Sequence, residues 1–137
     1  MKKLLPVFLI VCLLLSGCGK AKTISYAGVT NITVASFEHE SFPLQKTVDK
    51  TKDIETIINY INNIETDKCS KKKVDRWFMS LLITGVNDPV MIDISEEYIV
   101  IDGKWYEIGS TALSELQNIY YNLEYYEVDY VKPEEEK

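Results

Sequence analysis

Apolar and polar positions alternate with a period of two along most of this chain, and two stretches switch to a helical period; together these rhythms predict its elements. From Val29 to Phe37 the residues are rich in β-branched side chains, with Ile32 and Val34 on one parity. After the polar break Glu38-His39-Glu40-Ser41, Phe42, Leu44 and Val48 repeat the alternation, which reads as a hairpin. Ile54, Ile57, Ile58, Ile61 and Ile64 then recur at helical spacing and predict an amphipathic helix over about residues 52 to 65, with Asp49, Thr51 or Asp53 as its N-cap. Isoleucine is a modest helix former, so burial of that stripe must hold the helix.

Glu65 to Lys73 is polar and unpatterned and reads as a loop. Trp77, Met79, Leu81 and Ile83 share one parity, and Phe78 and Leu82 lie on the other, so this strand is apolar on both faces and is expected to be central. Gly85 to Pro89 makes a turn, Val90, Ile92 and Ile94 alternate with Met91, Asp93 and Ser95, and a further strand covers Tyr98 to Ile101. Asp102-Gly103 follows directly, and this dipeptide supplies the positive φ angles of a two-residue hairpin turn before Lys104 to Ile108. A second helix is predicted from an N-cap at Ser110 to about Leu123, burying Leu113, Leu116, Tyr120 and Leu123 with Ala112 and Ile119 beside them. The order ββαββββα predicts an α+β domain: a mostly antiparallel sheet of about six strands with two helices packed on one face. A closed barrel is the alternative arrangement of the same strands.

The N-terminus has a different pattern. Lys2 and Lys3 precede an apolar run from Leu4 to Leu15, interrupted only by Pro6, which falls in the range of a signal peptide and is shorter than the ~20 residues a transmembrane helix needs. The run ends in Leu15-Ser16-Gly17-Cys18, which resembles the lipobox of bacterial lipoproteins at all four positions. That resemblance implies cleavage between Gly17 and Cys18, a diacylglyceryl thioether on the Cys18 sulfur, and a mature protein beginning at Cys18. Two or more acyl chains hold such a protein stably, because each buried methylene contributes about 0.8 kcal/mol. Beyond Cys18 the chain is only loosely similar to small lipoproteins of Gram-positive bacteria. The expected organisation is a removed signal at 1–17, a lipidated N-terminus and tether at 18–23 with the first strand signal near Ile24, one domain over 24–126, and an acidic, disordered tail over 127–137. A tether of this length spans at most about 18 Å, so the domain should ride close to the membrane.

Removal of Lys2 and Lys3 leaves 13 basic against 21 acidic residues, a net charge of −8, which disfavours nucleic-acid binding. With Cys12 in the signal and Cys18 lipidated, Cys69 is alone, so no intramolecular disulfide is available and packing must hold the fold. Candidate chemistry is sparse. His39 lies between two glutamates without a second His or a Cys pair to complete a metal site. No Gly-x-Ser-x-Gly elbow occurs, and the glycines are scattered singly, which disfavours hydrolase and nucleotide chemistry. Asp93, Asp102 and Glu107 are carboxylates available for acid–base work, among many others. Lys68, Lys71, Lys72, Lys73 and Arg76 form one basic cluster suited to anionic headgroups or wall polymers, with Cys69 expected exposed within it. Tyr121 and Tyr125, partly off the helical stripe, are candidate surface contacts, since tyrosine combines a rigid apolar body with a polar tip.

These readings predict a protein lipid-anchored at the extracytoplasmic face of the cell membrane, with a small non-enzymatic domain and no cofactor or metal. Its expected partners are the membrane, through the anchor, and a peptide or envelope protein. Immunity against a cationic antimicrobial peptide is a sharper version, motivated by the short tether and the −8 charge. An accessory subunit of an envelope assembly or transport complex is the alternative.

Overall fold

The computed structural model describes residues 19–134. The lipobox, with Gly17 and Cys18, and the last three residues lie outside the described residues. Among the described residues, eight strands and two helices follow one another: β1 (Val29–Ser36), β2 (Leu44–Val48), α1 (Thr51–Asn63), β3 (Thr66–Lys68), β4 (Met79–Gly85), β5 (Val90–Ile94), β6 (Tyr98–Ile101), β7 (Lys104–Ile108), α2 (Ala112–Asn122) and β8 (Val128–Asp129). The strands form a single sheet in the order β3-β7-β6-β5-β4-β1-β2-β8, and every neighbouring pair is antiparallel. With β3 and β8 at opposite ends of that order, the sheet is open and the closed-barrel alternative is not adopted. The α+β class and the packing of both helices against one sheet face are as the patterning predicts.

The inner face carries Ile32, Val34, Val48, Met79, Leu81, Ile83, Ile92, Ile94, Ile99 and Tyr106, all buried. Against it lie Ile54, Ile57, Ile58 and Ile61 of α1 and Leu113, Leu116 and Tyr120 of α2. The central strand β4 sits between β1 and β5, as its two apolar faces anticipate. Asp102 (φ 47°) and Gly103 (φ 78°) close the β6–β7 hairpin with the positive angles their dipeptide favours.

Several boundaries differ from expectation. Among the described residues eight strands form rather than about six, because β3 and β8 are three- and two-residue edges with no apolar period to announce them. The segment around Ile24 is not a strand; β1 begins at Val29. The tail holds a short strand: β8 pairs with β2, and the Tyr130 N–H donates to the Pro43 carbonyl at 3.0 Å. The helix N-caps are Lys50 and Thr111, neither with a side-chain cap bond.

Side chains supply what the caps do not. The Tyr60 hydroxyl lies 2.9 Å from both the Ala112 carbonyl and Glu115 Oε2, one proton shared between two acceptors, and so ties α1 to the start of α2. The Tyr125 hydroxyl donates to Asp53 Oδ2 at 2.7 Å and accepts from the Lys50 N–H at 3.2 Å, closing the start of α1 from outside. Burial, with Glu115 alongside, pushes the Tyr60 phenol well above its ordinary value; burial and Asp53 push Tyr125 up to about 12, and burial with Glu127 raises Tyr120. A group whose folded pKa is raised contributes stability that is complete below its unfolded value of about 10 and is lost as pH climbs above it, because the unfolded chain gives up the proton first. Stability is therefore expected to fall from about pH 10 upward. Denaturant midpoints at pH 8.5 and 11 should differ less in Tyr60→Phe than in the wild type; an unchanged difference would show that this phenol does not drive the alkaline loss.

Candidate functional site

The first described residues are fastened to the domain. The Lys68 N–H donates to the Gly19 carbonyl at 2.7 Å and the Ala21 N–H to Thr66 Oγ1 at 2.9 Å, so the chain enters along edge strand β3. Asn62, near the end of α1, then holds Ile24 by both backbone groups, accepting from its N–H and donating to its carbonyl at 2.8 Å each. The expected free tether of 18–23 is thus absorbed into the fold from Gly19 onward. The physical reason is an edge strand with unpaired backbone groups, which the entering chain satisfies. Cys18 directly precedes this docked segment in sequence.

The basic loop starts from the same strand. Lys68, Lys71, Lys72 and Lys73 are exposed, as is Lys20 on the entering chain. Cys69 is half-buried rather than exposed, because its N–H donates to the Trp105 carbonyl at 3.0 Å and holds the loop root against β7. Beneath the entering chain lies a cavity of about 270 Å³, walled by Ile24, Val29, Ile83, Val90, Ile101 and Tyr106. Lys22, Lys104, Asp88 and Asp102 also line it, so its charges balance. The Asp102 carboxylate is already used, accepting from the Met91 N–H at 3.0 Å.

The face of the sheet away from the helices carries a second constellation. Strand register sets Gln45, Ala35, Ser80, Asp93, Val100 and Trp105 side by side in one row across six strands. Ala35 and Ser80 are short, so the middle of the row is low. Aromatic rings rise around it: Phe37 and Tyr130 meet edge to face at 4.9 Å between centroids, and Trp77 stacks at a tilt on Trp105 at 5.7 Å, with Tyr98 6.1 Å beyond. Phe37, Trp77, Tyr130, Ser80 and Asp93 line one shallow cavity of about 370 Å³ with Glu40 and Arg76 at its side. Burial, and the charge of Asp93, raise the Tyr130 phenol above its ordinary value.

The remaining candidates fall elsewhere. Tyr121 is exposed and edge-on to Tyr120. Tyr125 is half-buried, with its hydroxyl committed as described and the Lys50 ammonium 5.3 Å above its ring, which makes it a fastener between the chain after α2 and the start of α1. His39 is exposed in the β1–β2 loop. Among the described residues no group of three or more His, Cys, Asp or Glu side chains is placed to hold a metal ion, and no helix is long and apolar enough to cross a membrane. Lys46 escaped sequence reading: it lies on the inner face at 5% exposure, donating to the Tyr120 and Leu123 carbonyls at 2.8 and 2.9 Å. Its place on the inward parity of Leu44 and Val48 was the available signal. Compared with known proteins, the chain matches no family model, no curated protein and no solved structure.

Proposed function

We propose that this chain is a lipoprotein anchored through Cys18 at the extracytoplasmic face of a bacterial cell membrane, and that its α+β domain is a non-enzymatic binding module. The observation that carries the reading is the junction at β3. The four-residue lipobox match ends one residue before a chain already hydrogen-bonded to that strand, and the exposed lysines 68, 71, 72 and 73 leave from the same strand. An anchor at residue 18 would hold this basic edge against the bilayer, where each lysine near anionic headgroups contributes about 1 kcal/mol. The rest of the surface is predominantly acidic and would face away. What supports a peptide partner is the aromatic cup on the helix-free face, open to solvent while the opposite face is filled by the helices.

The test is Cys18→Ser in the native host. The variant is expected to accumulate as an uncleaved precursor that takes up no labelled palmitate, while the wild type is labelled, shortened by seventeen residues and recovered with membranes in a flotation gradient. Equal labelling of variant and wild type would overturn the lipoprotein reading.

A further inference from the structure

We propose that the cup formed by Phe37, Trp77 and Tyr130 over Asp93 binds the lysine or arginine side chain of a basic peptide lying along the helix-free face of the sheet. The inference rests on reading the domain as a binding module and names the ligand class of its site.

Three features point to a cation. The first is the walls, three aromatic side chains from distant parts of the chain that converge on one concavity; an aromatic face attracts a positive group through its quadrupole, most strongly where water is thinned out. The second is the floor. Asp93 is half-buried in the low row beside Ser80 and lines the cavity with the three rings. A carboxylate held in that position favours a cation arriving from outside.

The third is the state of the other charges at the cup. Arg76 is already occupied: its Nη2 donates to the Phe37 and Glu38 carbonyls at 2.6 Å each, its Nε lies 3.4 Å from Glu40 Oε1, and its guanidinium sits 4.6 Å above the Phe78 ring. The guanidinium is thus held at the side of the cup by backbone carbonyls, with Glu40 75% exposed beside it, and Asp93 is the more buried carboxylate of the lining. A peptide suits the remainder of the face on the β6–β7 side, because Val100 and Trp105 continue there as half-buried apolar positions and would receive a neighbouring side chain, whereas Leu82 and Met91 line a cavity shared with the chain's own residues 130–134. A small quaternary ammonium ion would fill the cup but leave Val100 and Trp105 untouched.

Lipidated protein in non-ionic dodecyl maltoside micelles would be titrated with an alternating Lys-Ala peptide, its Glu-Ala counterpart and choline, reading tryptophan fluorescence. The Lys-Ala peptide is expected to give a saturable change that weakens with salt, and the Glu-Ala peptide none. Asp93→Asn, which preserves side-chain shape, should weaken binding about tenfold. Asp88→Asn, which removes the same charge from an exposed turn, should weaken it less than about twofold. Trp77→Leu, with Trp105 left as reporter, should cost about fivefold. No saturable change, or equal losses in the two Asn variants, would overturn the proposal; choline saturating the site while the peptide fails would overturn it in favour of a quaternary ammonium ligand. Recovery of the protein with membranes reads the anchor separately, so failure of the ligand and failure of the lipoprotein reading are distinguishable.

Discussion

Leu81→Ala is expected to cost about 3–5 kcal/mol of folding stability, a large share of the roughly 5–15 kcal/mol that a domain of this size commands. Leu81 has no exposed surface and sits in β4 at the middle of the sheet, opposite Val34 of β1 on one side and Ile92 of β5 on the other, both also buried. Truncation removes three heavy atoms from a site whose neighbours are fixed by hydrogen-bonded strands on both sides, so the void cannot collapse and the cavity cost adds to the lost transfer energy. Leu82 is the internal control. It occupies the next position on the same strand but points to the helix-free face, where it is half-buried, and Leu82→Ala should cost less than about 1.5 kcal/mol. Urea unfolding of both variants measures the contrast. Equal losses would mean that the two faces of β4 are packed alike and that the helices do not define the core.

The same contrast explains how much of the fold could be read in advance. Elements that bury an apolar set announce it: the isoleucines of α1 at helical spacing, Ile92 and Ile94 alternating in β5, and Asp102-Gly103 between two strands all describe a local geometry that the tertiary structure then uses. β3 and β8 offered no such signal. Thr66 is the only buried residue of β3 and β8 has none, so each is held by backbone pairing to a neighbour, an interaction with no side-chain signature. The helix starts misled for a related reason. Asp49, Thr51, Asp53 and Ser110 are good local caps, but at the start of α1 Tyr125 reaches in from elsewhere in the fold and accepts from the Lys50 N–H.

The candidate site was legible in its parts and not in its assembly. Asp93 is legible as a carboxylate that alternates with Ile92 and Ile94 and so lies on the outward parity of β5. Phe37, Trp77 and Tyr130 are separated by forty or more residues in sequence, and only the register β1–β4–β5 and the return of the chain through β8 bring them around Asp93. Tyr130 owes its place to β8, which is too short to show in the sequence. At the other end of the sheet, the lysine cluster was visible, but its adjacency to the anchored N-terminus depends on the Lys68–Gly19 hydrogen bond, which again is backbone pairing alone.

Lys46→Met is expected to destabilise the domain by about 2–4 kcal/mol although methionine keeps most of the apolar stem. The Lys46 ammonium lies beneath the end of α2, donates to the carbonyls of Tyr120 and Leu123, and stands 4.5 Å from the centre of the Tyr120 ring. Those carbonyls belong to the last turn of a helix and the residue after it, where the helix dipole is negative; each also accepts one backbone N–H, Tyr120 from Leu123 at 3.2 Å and Leu123 from Tyr125 at 3.0 Å, so the ammonium supplies the second, charged bond at each. A hydrogen bond from a charged donor contributes about 1.5–3 kcal/mol, and methionine removes two of them. Glu127 also approaches Lys46, at 4.0 Å, but its side chain is 39% exposed, so that ion pair is worth at most about 1 kcal/mol and the carbonyls decide the outcome. Glu127→Gln should therefore fall within about 0.5–1 kcal/mol of the wild type. Denaturant unfolding of the two variants separates the roles. If Lys46→Met matched the wild type while Glu127→Gln lost several kcal/mol, the lysine would serve the ion pair rather than the helix end. The expected order instead makes Lys46 a cap supplied by β2 in place of the glycine or C-terminal basic residue that α2 lacks, coupling closure of the helix to the edge of the sheet where β8 docks and the chain turns back toward the aromatic cup.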